Sequence, residues 1–280
     1  MILKTIINKI DSLPPLPSTL KKIEKIANDP KKTIGDLIET VQKDPMLSAD
    51  LLKVANSPLY GFQKEIKTIS QAVSLFGMNM TKILSLSFTV RQLLNTDMTP
   101  YGINFQKFAE ISHIQAKLAK EIYQEYYEKD SENGDKIFSM ALLQEIGKIL
   151  IANEIMEREE SKIFKEIIKS SINIEDVEKS FVGCTSCEIG ARILKRWNLD
   201  QSMIDSIYYA CDYQNAPDDI KNYSLILKVV KEAVSINSPL SENSLERASL
   251  LLKREGFETD CFFKKAIFLK GIYFSNYALV

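Results

Sequence analysis

Helical periodicity is the feature that most constrains the fold of this chain. Leu20, Ile23 and Ala27 are three and four residues apart, which places them on one face of a helix. Helix-start signals recur along the sequence. Three pairs have the spacing of a capping box: Thr33 with Asp36, Thr68 with Gln71 and Thr185 with Glu188. At Asp44-Pro45, an N-cap residue is followed by a proline at the first helical position. Stretches with the alternation of a strand are scarce, so the sequence predicts an all-α fold.

The same signals predict twelve helices. They lie near residues 18–28, 33–43, 45–56, 68–77, 79–94, 104–128, 136–152, 160–170, 186–196, 201–212, 219–236 and 260–275. The segment 97–102, DMTPYG, is the best candidate for a boundary between an N-terminal helical half and the rest of the chain.

Overall charge disfavours some classes of partner. The 280 residues include 36 basic and 37 acidic side chains, a net charge of -1, so nothing in the totals draws the chain to nucleic acid or to an anionic membrane. Residues 1–10 lack the apolar core of a signal peptide, and no apolar run approaches about 18 residues. Four cysteines are few for this length, and we expect reduced thiols in a cytoplasmic protein.

Four motifs in the N-terminal half occur in a specific order. They are LPPLP at 13–17, DPML at 44–47, LLKVANS at 51–57 and ISQAVSLFG at 69–77. This order and spacing resemble the HDOD domain, a bacterial signalling module related to the HD phosphohydrolases. Each motif also has a physical interpretation of its own, because its prolines, small residues and leucines serve helix entry and packing.

The resemblance continues into the second half and covers residues 13–213. The segment ALLQEIGKILI at 141–151 is similar to the LLHDIGK segment that carries the metal-binding pair in HD phosphohydrolases, and GCTSCEIGARILKRW follows at 183–197. The resemblance implies a multi-helix HD-like bundle forming one unit over 1–280. Its predicted parts are an N-terminal helical subdomain at 13–100, an HD-like subdomain at 101–213 and a C-terminal helical extension at 214–280.

Carried over position by position, the resemblance implies that the metal ligands have been lost. Gln144 stands at the histidine place and Glu145 at the aspartate place, Ser186 replaces a further histidine, and Ala210-Cys211 replaces a histidine pair. The single histidine, His113, is displaced from the expected place near Ile111. An amide, a hydroxyl and a methyl group do not replace imidazole ligands, so we predict vestigial HD-site positions with no metal, no cofactor and no catalysis.

Three residues are candidate ligand contacts: Glu145, Lys148 and His113. Glu145 is interpreted either as a carboxylate held by Lys148 or backbone, or as a contact to a small ligand. His113 is interpreted either as a satisfied core histidine or as a pH or ligand sensor. Cys184 and Cys187 form a CxxC pair at a helix start. The pair is interpreted as part of a helix entry or as a redox-active pair, with a metal site that includes Cys211 as a further reading.

The first functional hypothesis, implied by the resemblance, is a non-catalytic signalling adaptor. It would bind a protein partner or a small nucleotide-like ligand, with control of bacterial motility as a specific role and a homodimer as a candidate assembly. The alternative is a weak metal-dependent phosphodiesterase or nucleotidase that uses Glu145 and non-standard ligands. A nucleic-acid-binding role is disfavoured by the charge balance, and membrane insertion is not expected.

Overall fold

The computed structural model describes residues 2–94, 96–127 and 131–275. Every regular element in those ranges is a helix, which confirms the all-α prediction. The chain forms two compact units, a smaller one at Pro14–Leu94 and a larger one that joins Met1–Leu13 to Asn95–Val280. The first helix, α1 (Ile2–Asp11), therefore belongs to the larger unit, as does the predicted C-terminal extension.

The smaller unit contains four α-helices: α2 (Ser18–Asn28), α3 (Ile34–Gln42), α4 (Pro45–Ala55) and α5 (Ile69–Leu93). Its start signals act as the sequence predicts. Thr33 and Thr68 each form a complete capping box, and the Asp44 carboxylate accepts a hydrogen bond from the backbone N–H of Leu47.

Asn56 explains the physical role of the LLKVANS motif. Its side-chain amide donates to the carbonyl oxygens of Leu52 (2.9 Å) and Ile66 (2.8 Å), and its Oδ1 accepts from the backbone N–H of Ile66 (2.8 Å). One side chain therefore ties the loop before α5 to the end of α4. Ala55, Ile66 and Ala72 pack together beneath this connection. The motif is a packing and loop-closing device, in line with its interpretation from the sequence.

Helix α5 is interrupted at Gly77, whose φ of 72° and ψ of 180° are not helical. This break matches the two separate helices that the sequence predicts here. Within the described ranges α5 also has the length and composition of a membrane span, but this is weak evidence, since the core helices of water-soluble proteins have them too. The burial of Ala72, Val73 and Leu84 inside the protein favours a core helix.

Among its described residues, the larger unit contains α1 and ten further α-helices. These are α6 (Phe105–Tyr126), α7 (Ser131–Leu143), α8 (Gly147–Glu157), α9 (Ser161–Ser170), α10 (Ile174–Val182), α11 (Ser186–Arg196), α12 (Gln201–Tyr209), α13 (Asp218–Ala233), α14 (Glu242–Arg254) and α15 (Asp260–Ser275). Three of the eleven, α1, α10 and α14, were not predicted. The capping box at Thr185 and Glu188 begins α11 as predicted.

The prediction of one continuous helix at 136–152 is wrong. The chain turns at Gln144, Glu145 and Ile146 between α7 and α8, with backbone bonds from the N–H of Ile146 to the carbonyl of Leu143 and from Lys148 to Glu145. These hydrogen bonds join residues three apart and form tight turns, so they change the direction of the chain instead of continuing α7. The turn falls at the two positions that the resemblance assigns to the lost metal-binding pair.

Gly147, the first residue of α8, allows that helix to approach α11 closely. A Cβ atom built at Gly147 would overlap the carbonyl oxygen of Ser186 and lie 2.8 Å from the backbone nitrogen of Gly190. Only a residue without a side chain fits between these backbones. This close approach places the start of α11 beside Glu145 and Lys148.

Candidate functional site

The turn between α7 and α8 places Gln144 and Glu145 inside the larger unit, where they are 0% and 3% exposed. Charged side chains from other helices surround them. We call the set Glu145, Lys148, Glu175, Glu178 and Lys231 the buried ion-pair cluster, because each of these residues is 9% exposed or less. Buried charges are tolerated when they are paired and hydrogen-bonded.

Lys148, from the first turn of α8, lies between two carboxylates. Its Nζ is 2.7 Å from Glu178 Oε1 and 3.1 Å from Glu145 Oε2, and it donates to Ser186 Oγ at 3.1 Å. Glu178 also accepts bonds from the Tyr101 hydroxyl (3.0 Å) and from the backbone N–H of Ser186 (2.6 Å). Glu178 thus joins Lys148 to the start of α11.

Lys231, from α13, contacts two carboxylates of the cluster, Glu145 and Glu175. Its Nζ is 3.3 Å from Glu145 Oε2 and 3.2 Å from Glu175 Oε1. It also lies 3.3 Å from Ser186 Oγ and 3.6 Å from Cys187 Sγ. The same Glu145 oxygen therefore faces two ammonium groups, one from each lysine.

Two glutamines complete the polar interior. Gln115, on α6, donates from Nε2 to Glu145 Oε1 (3.2 Å) and to the carbonyl of Val234 (3.0 Å), and it accepts from Gln144 Nε2 (2.9 Å). Gln144 Oε1 is buried and has no hydrogen-bond donor among the described residues. The amide that replaces the expected histidine is therefore held on one side only, by Gln115.

The ammonium groups keep Glu145 and Glu175 ionised. Burial alone would raise the pKa of Glu145, but the positive charges of Lys148 and Lys231 hold it below its ordinary value. The pKa of Glu175 is lowered in the same way by Lys231, Lys228 and Lys148, against the opposing effect of burial. For Lys148, burial opposes the charged form, yet the three carboxylates raise its pKa above the ordinary value. The pKa values of Glu145, Glu175 and Lys148 are therefore all shifted in the direction that favours the charged form.

His113 is buried on α6, two residues before Gln115. Successive helical residues are rotated by about 100°, so side chains two apart leave nearly opposite faces of the helix. The side chain that α6 contributes to Gln144 and Glu145 is Gln115. Of the three candidate ligand contacts, the structure brings Glu145 and Lys148 into direct contact, and it buries His113 on a different face of α6 from Gln115.

Ala210 and Cys211 follow α12, and Cys211 forms a disulfide with Cys187 on α11. The expectation of reduced thiols is therefore corrected. Cys187 is paired with Cys211 and not with Cys184, its neighbour in the CxxC sequence. Cys184 is a buried free thiol, and burial together with Glu188 and Glu178 raises its pKa to about 11. The protonated Cys184 thiol does not fit a reactive CxxC pair.

The residues of this site do not fit a divalent metal. Glu145, Glu175 and Glu178 would be the donors, but lysine ammonium groups lie against each of them. Within the described ranges no group of three or more His, Cys, Asp or Glu side chains is arranged to hold a metal ion. The positive charge that a metal would supply to these carboxylates is supplied by Lys148 and Lys231.

The cluster predicts how stability depends on pH. Glu145 and Glu175 have lowered pKa values in the folded protein. Their contribution to the free energy of unfolding is therefore present above the unfolded-state pKa near 4.5 and is lost as the pH falls through the folded-state pKa. Lys148 has a raised pKa, so its contribution to stability is present below the unfolded-state pKa of 10.5 and is lost only as the pH rises through the folded-state pKa. We expect a constant urea midpoint from about pH 6 to 9 and a decline below about pH 4.5.

Fluorescence of Trp197, the only tryptophan, measures this dependence in the larger unit. The Glu175→Gln variant is the control, since it removes one of the two carboxyl groups of the cluster whose pKa is lowered. Its urea midpoint should decline less steeply in acid. A wild-type midpoint that stays constant to pH 3 would contradict the assignment of ionised carboxylates.

Sequence reasoning missed four members of this arrangement: Gln115, Glu175, Glu178 and Lys231. Glu175 and Glu178 lie on α10, a helix that was not predicted, although their three-residue spacing places both on one face. Lys231 lies on α13, beyond the end of the resemblance at residue 213. Other charged residues stand beside them in α10 and α13, so charge alone does not single them out in the sequence.

Comparison with known proteins gives one match to a family model, the HDOD domain, over residues 13–213. A protein of Treponema pallidum (strain Nichols) is 27% identical over 221 residues, which is 78% of this chain and 41% of that protein. The chain thus spans less than half the length of this relative.

Two solved structures are similar in fold. An HDOD domain protein of unknown function from Geobacter sulfurreducens has a TM-score of 0.71 and 21% identity, with 97% of this chain and 94% of that chain covered. A protein of Shewanella amazonensis, provisionally named a phosphohydrolase, has a TM-score of 0.72 and 21% identity, with 95% and 94% covered. At this level of identity the likeness concerns the fold.

Proposed function

The chain belongs to the HDOD domain family, and from that premise we propose that it is a non-catalytic regulatory protein of bacterial signalling. The buried ion-pair cluster is the observation that carries the proposal. Metal-dependent phosphate-ester hydrolysis needs a cation with open coordination positions that can bind and activate water. Lysine ammonium groups have no such positions, and those of Lys148 and Lys231 already contact the carboxylates of this site.

The proposed mode of action is binding to a protein partner. Exposed large apolar side chains support it, because grouped exposed apolar residues mark interaction surfaces. One group lies along α9, where Ile163 (62% exposed) and Ile167 (40%) are four residues apart on one helix face, and Ile172 (73%) follows the helix. A second lies on α15, with Ile267 (59%) and Phe268 (62%). The side chains of both groups lie outside the buried core.

The finer elements of the proposal are a cytoplasmic location, control of motility and a homodimeric assembly. A small nucleotide-like ligand is a further partner class, for which Glu145 and Lys148 are the candidate contacts. These elements rest on the resemblance to signalling proteins of the family. Each is separable from the central proposal, which concerns regulation without catalysis.

A metal and turnover assay tests the absence of catalysis. The purified chain is analysed for bound Fe, Mn and Zn and is then assayed on cyclic dinucleotides and nucleoside phosphates with each metal added. We expect no stoichiometric metal and no turnover above that of Glu145→Ala. Tightly bound metal together with turnover that Glu145→Ala abolishes would replace the adaptor with the phosphohydrolase alternative.

An affinity-capture experiment tests partner binding. The intact chain is compared with Ile163→Asp/Ile172→Asp and with Ile267→Asp/Phe268→Asp in extracts of the native organism, after circular dichroism has shown that each variant is folded. We expect one double variant to lose a partner that the wild type and the other variant retain. Identical recovery by all three proteins would remove both surfaces from the proposal.

A further inference from the structure

We propose that Cys187 and Cys211 form a reversible thiol–disulfide couple in which a reducing thiol attacks Cys211 and Cys187 leaves as a thiolate held by Lys231. The inference concerns chemistry at the edge of the buried ion-pair cluster. It does not depend on the proposed regulatory role, and its tests measure neither metal content nor partner binding.

The two sulfur atoms differ in access. Cys187 is the second residue of α11 and is 0% exposed, while Cys211 lies two residues after α12 and is partly exposed. Their Cα atoms are 6.2 Å apart and they are separated by 24 residues in sequence. A thiol from solution therefore reaches the bond through Cys211. Attack there makes Cys187 the leaving group.

The surroundings of Cys187 favour its thiolate. Lys231 Nζ lies 3.6 Å from Cys187 Sγ. The sulfur is also carried by the first turn of α11, where the helix dipole and the free backbone N–H groups favour negative charge. A leaving thiolate that is stabilised in this way departs faster, and its stability makes the disulfide easier to reduce.

The exchange proceeds in two balanced steps. A thiolate of a dithiol reductant forms a bond with Cys211 Sγ as the protein S–S bond breaks, and the bonding electron pair leaves on Cys187 Sγ. The second thiol of the reductant, once deprotonated, attacks the reductant's own sulfur in this mixed disulfide, and Cys211 leaves and takes up a proton. The protein disulfide gains two electrons and the dithiol becomes a disulfide. A small-molecule disulfide reverses both steps.

Reduction alters the cluster directly. The Cys187 thiolate adds a negative charge beside an ammonium group that already pairs with Glu145 and Glu175. It also removes the covalent link between α11 and the segment after α12. The redox state of one bond is thereby coupled to the packing and charge of the vestigial site.

The first test uses the wild-type chain with its disulfide formed. The native protein is exposed to reduced glutathione, quenched in acid and mapped by mass spectrometry, and complete reduction is followed with dithiothreitol. We expect glutathione on Cys211, and two additional alkylatable thiols that appear while Trp197 fluorescence remains native. Attachment to Cys187 would overturn the proposal. So would four free thiols after air oxidation, or reduction only in denaturant.

The second test measures the leaving group. We expect Lys231→Met to slow reduction by dithiothreitol roughly three- to tenfold, since the Cys187 thiolate loses its counter-ion. Lys221→Met is the matched control on the same helix, because Lys221 lies ten residues before Lys231, about 15 Å along α13, and should leave the rate unchanged. Equal rates in the two folded variants would exclude a role for Lys231. If Lys231→Met does not fold, the site of glutathione attachment in the wild type decides the question.

Discussion

Replacement of Lys148 by methionine should lower the free energy of unfolding of the larger unit by about 3–5 kcal/mol. The ammonium group of Lys148 is 2.7 Å from Glu178 and 3.1 Å from Glu145. Its loss leaves two buried carboxylates short of a counter-charge in a region that water does not reach. Methionine preserves most of the side-chain volume, so the measured change reports charge and not a cavity.

The measurement is urea denaturation followed by Trp197 fluorescence, which reports on the larger unit. Lys169→Met is the matched control in the same unit, since Lys169 pairs with Glu166 on the exposed face of α9, where both side chains are more than half exposed. Exposed ion pairs contribute little, and the control midpoint should match the wild type. A Lys148→Met midpoint equal to that of the control would show that the cluster is not a set of buried ion pairs.

A double variant separates charge from shape. Lys148→Met combined with Glu178→Gln removes one charge of each sign, and we expect it to be more stable than Lys148→Met alone. Recovery should be partial, because Glu145 still lacks one of its two ammonium partners and the neutral glutamine cannot pair with the backbone N–H of Ser186 as strongly as a carboxylate does. A double variant as unstable as the single one would indicate that Lys148 acts through packing.

Gly147→Ala should destabilise the larger unit by about 3 kcal/mol or more, at the upper end of overpacking effects. The added methyl group would overlap the backbone carbonyl oxygen of Ser186 and press on the backbone of Gly190. Neither atom belongs to a flexible side chain, so α8 and α11 must move apart. Because Ser186 contacts Lys148 and Lys231, the displacement should also disturb the buried ion-pair cluster.

Gly190→Ala is the matched control across the same contact. A Cβ atom there would meet its nearest neighbours, including Gly147 N and Ile146 Cγ1, at 3.6 Å, an ordinary van der Waals separation. Alanine is also the better helix former, so we expect a neutral or slightly stabilising effect. Equal destabilisation by both substitutions, measured by urea denaturation, would contradict the close approach at Gly147.

Local signals in the sequence predicted much of the helical architecture. Thr33, Thr68, Thr185 and Asp44 begin helices as expected, because capping depends on residues three positions apart or fewer. Helices α1, α10 and α14 were missed, and the helix predicted at 136–152 is two helices. The break at Gln144 to Ile146 has no proline or glycine within the turn itself, so local rules gave no reason to expect it.

The candidate site was predicted in part. Gln144, Glu145, Ser186, Ala210 and Cys211 were chosen by resemblance, and the structure places Gln144, Glu145 and Ser186 around one network, with Cys211 linked to it through Cys187. Gln115, Glu175, Glu178 and Lys231 were not foreseen. They lie 30 or more residues away from Glu145 in sequence, and such pairings depend on how the helices pack.

The sequence by itself determined the fold class, the family and the absence of imidazole ligands at the HD positions, because these depend on periodicity, motif order and residue identity. Only the tertiary structure decided what stands in place of those ligands. Lys148 and Lys231 are ordinary lysines in the sequence, and their role appears when α8, α10 and α13 bring them against buried carboxylates. Burial makes each of these pairings obligatory, since an ion left unpaired in the core would cost several kcal/mol.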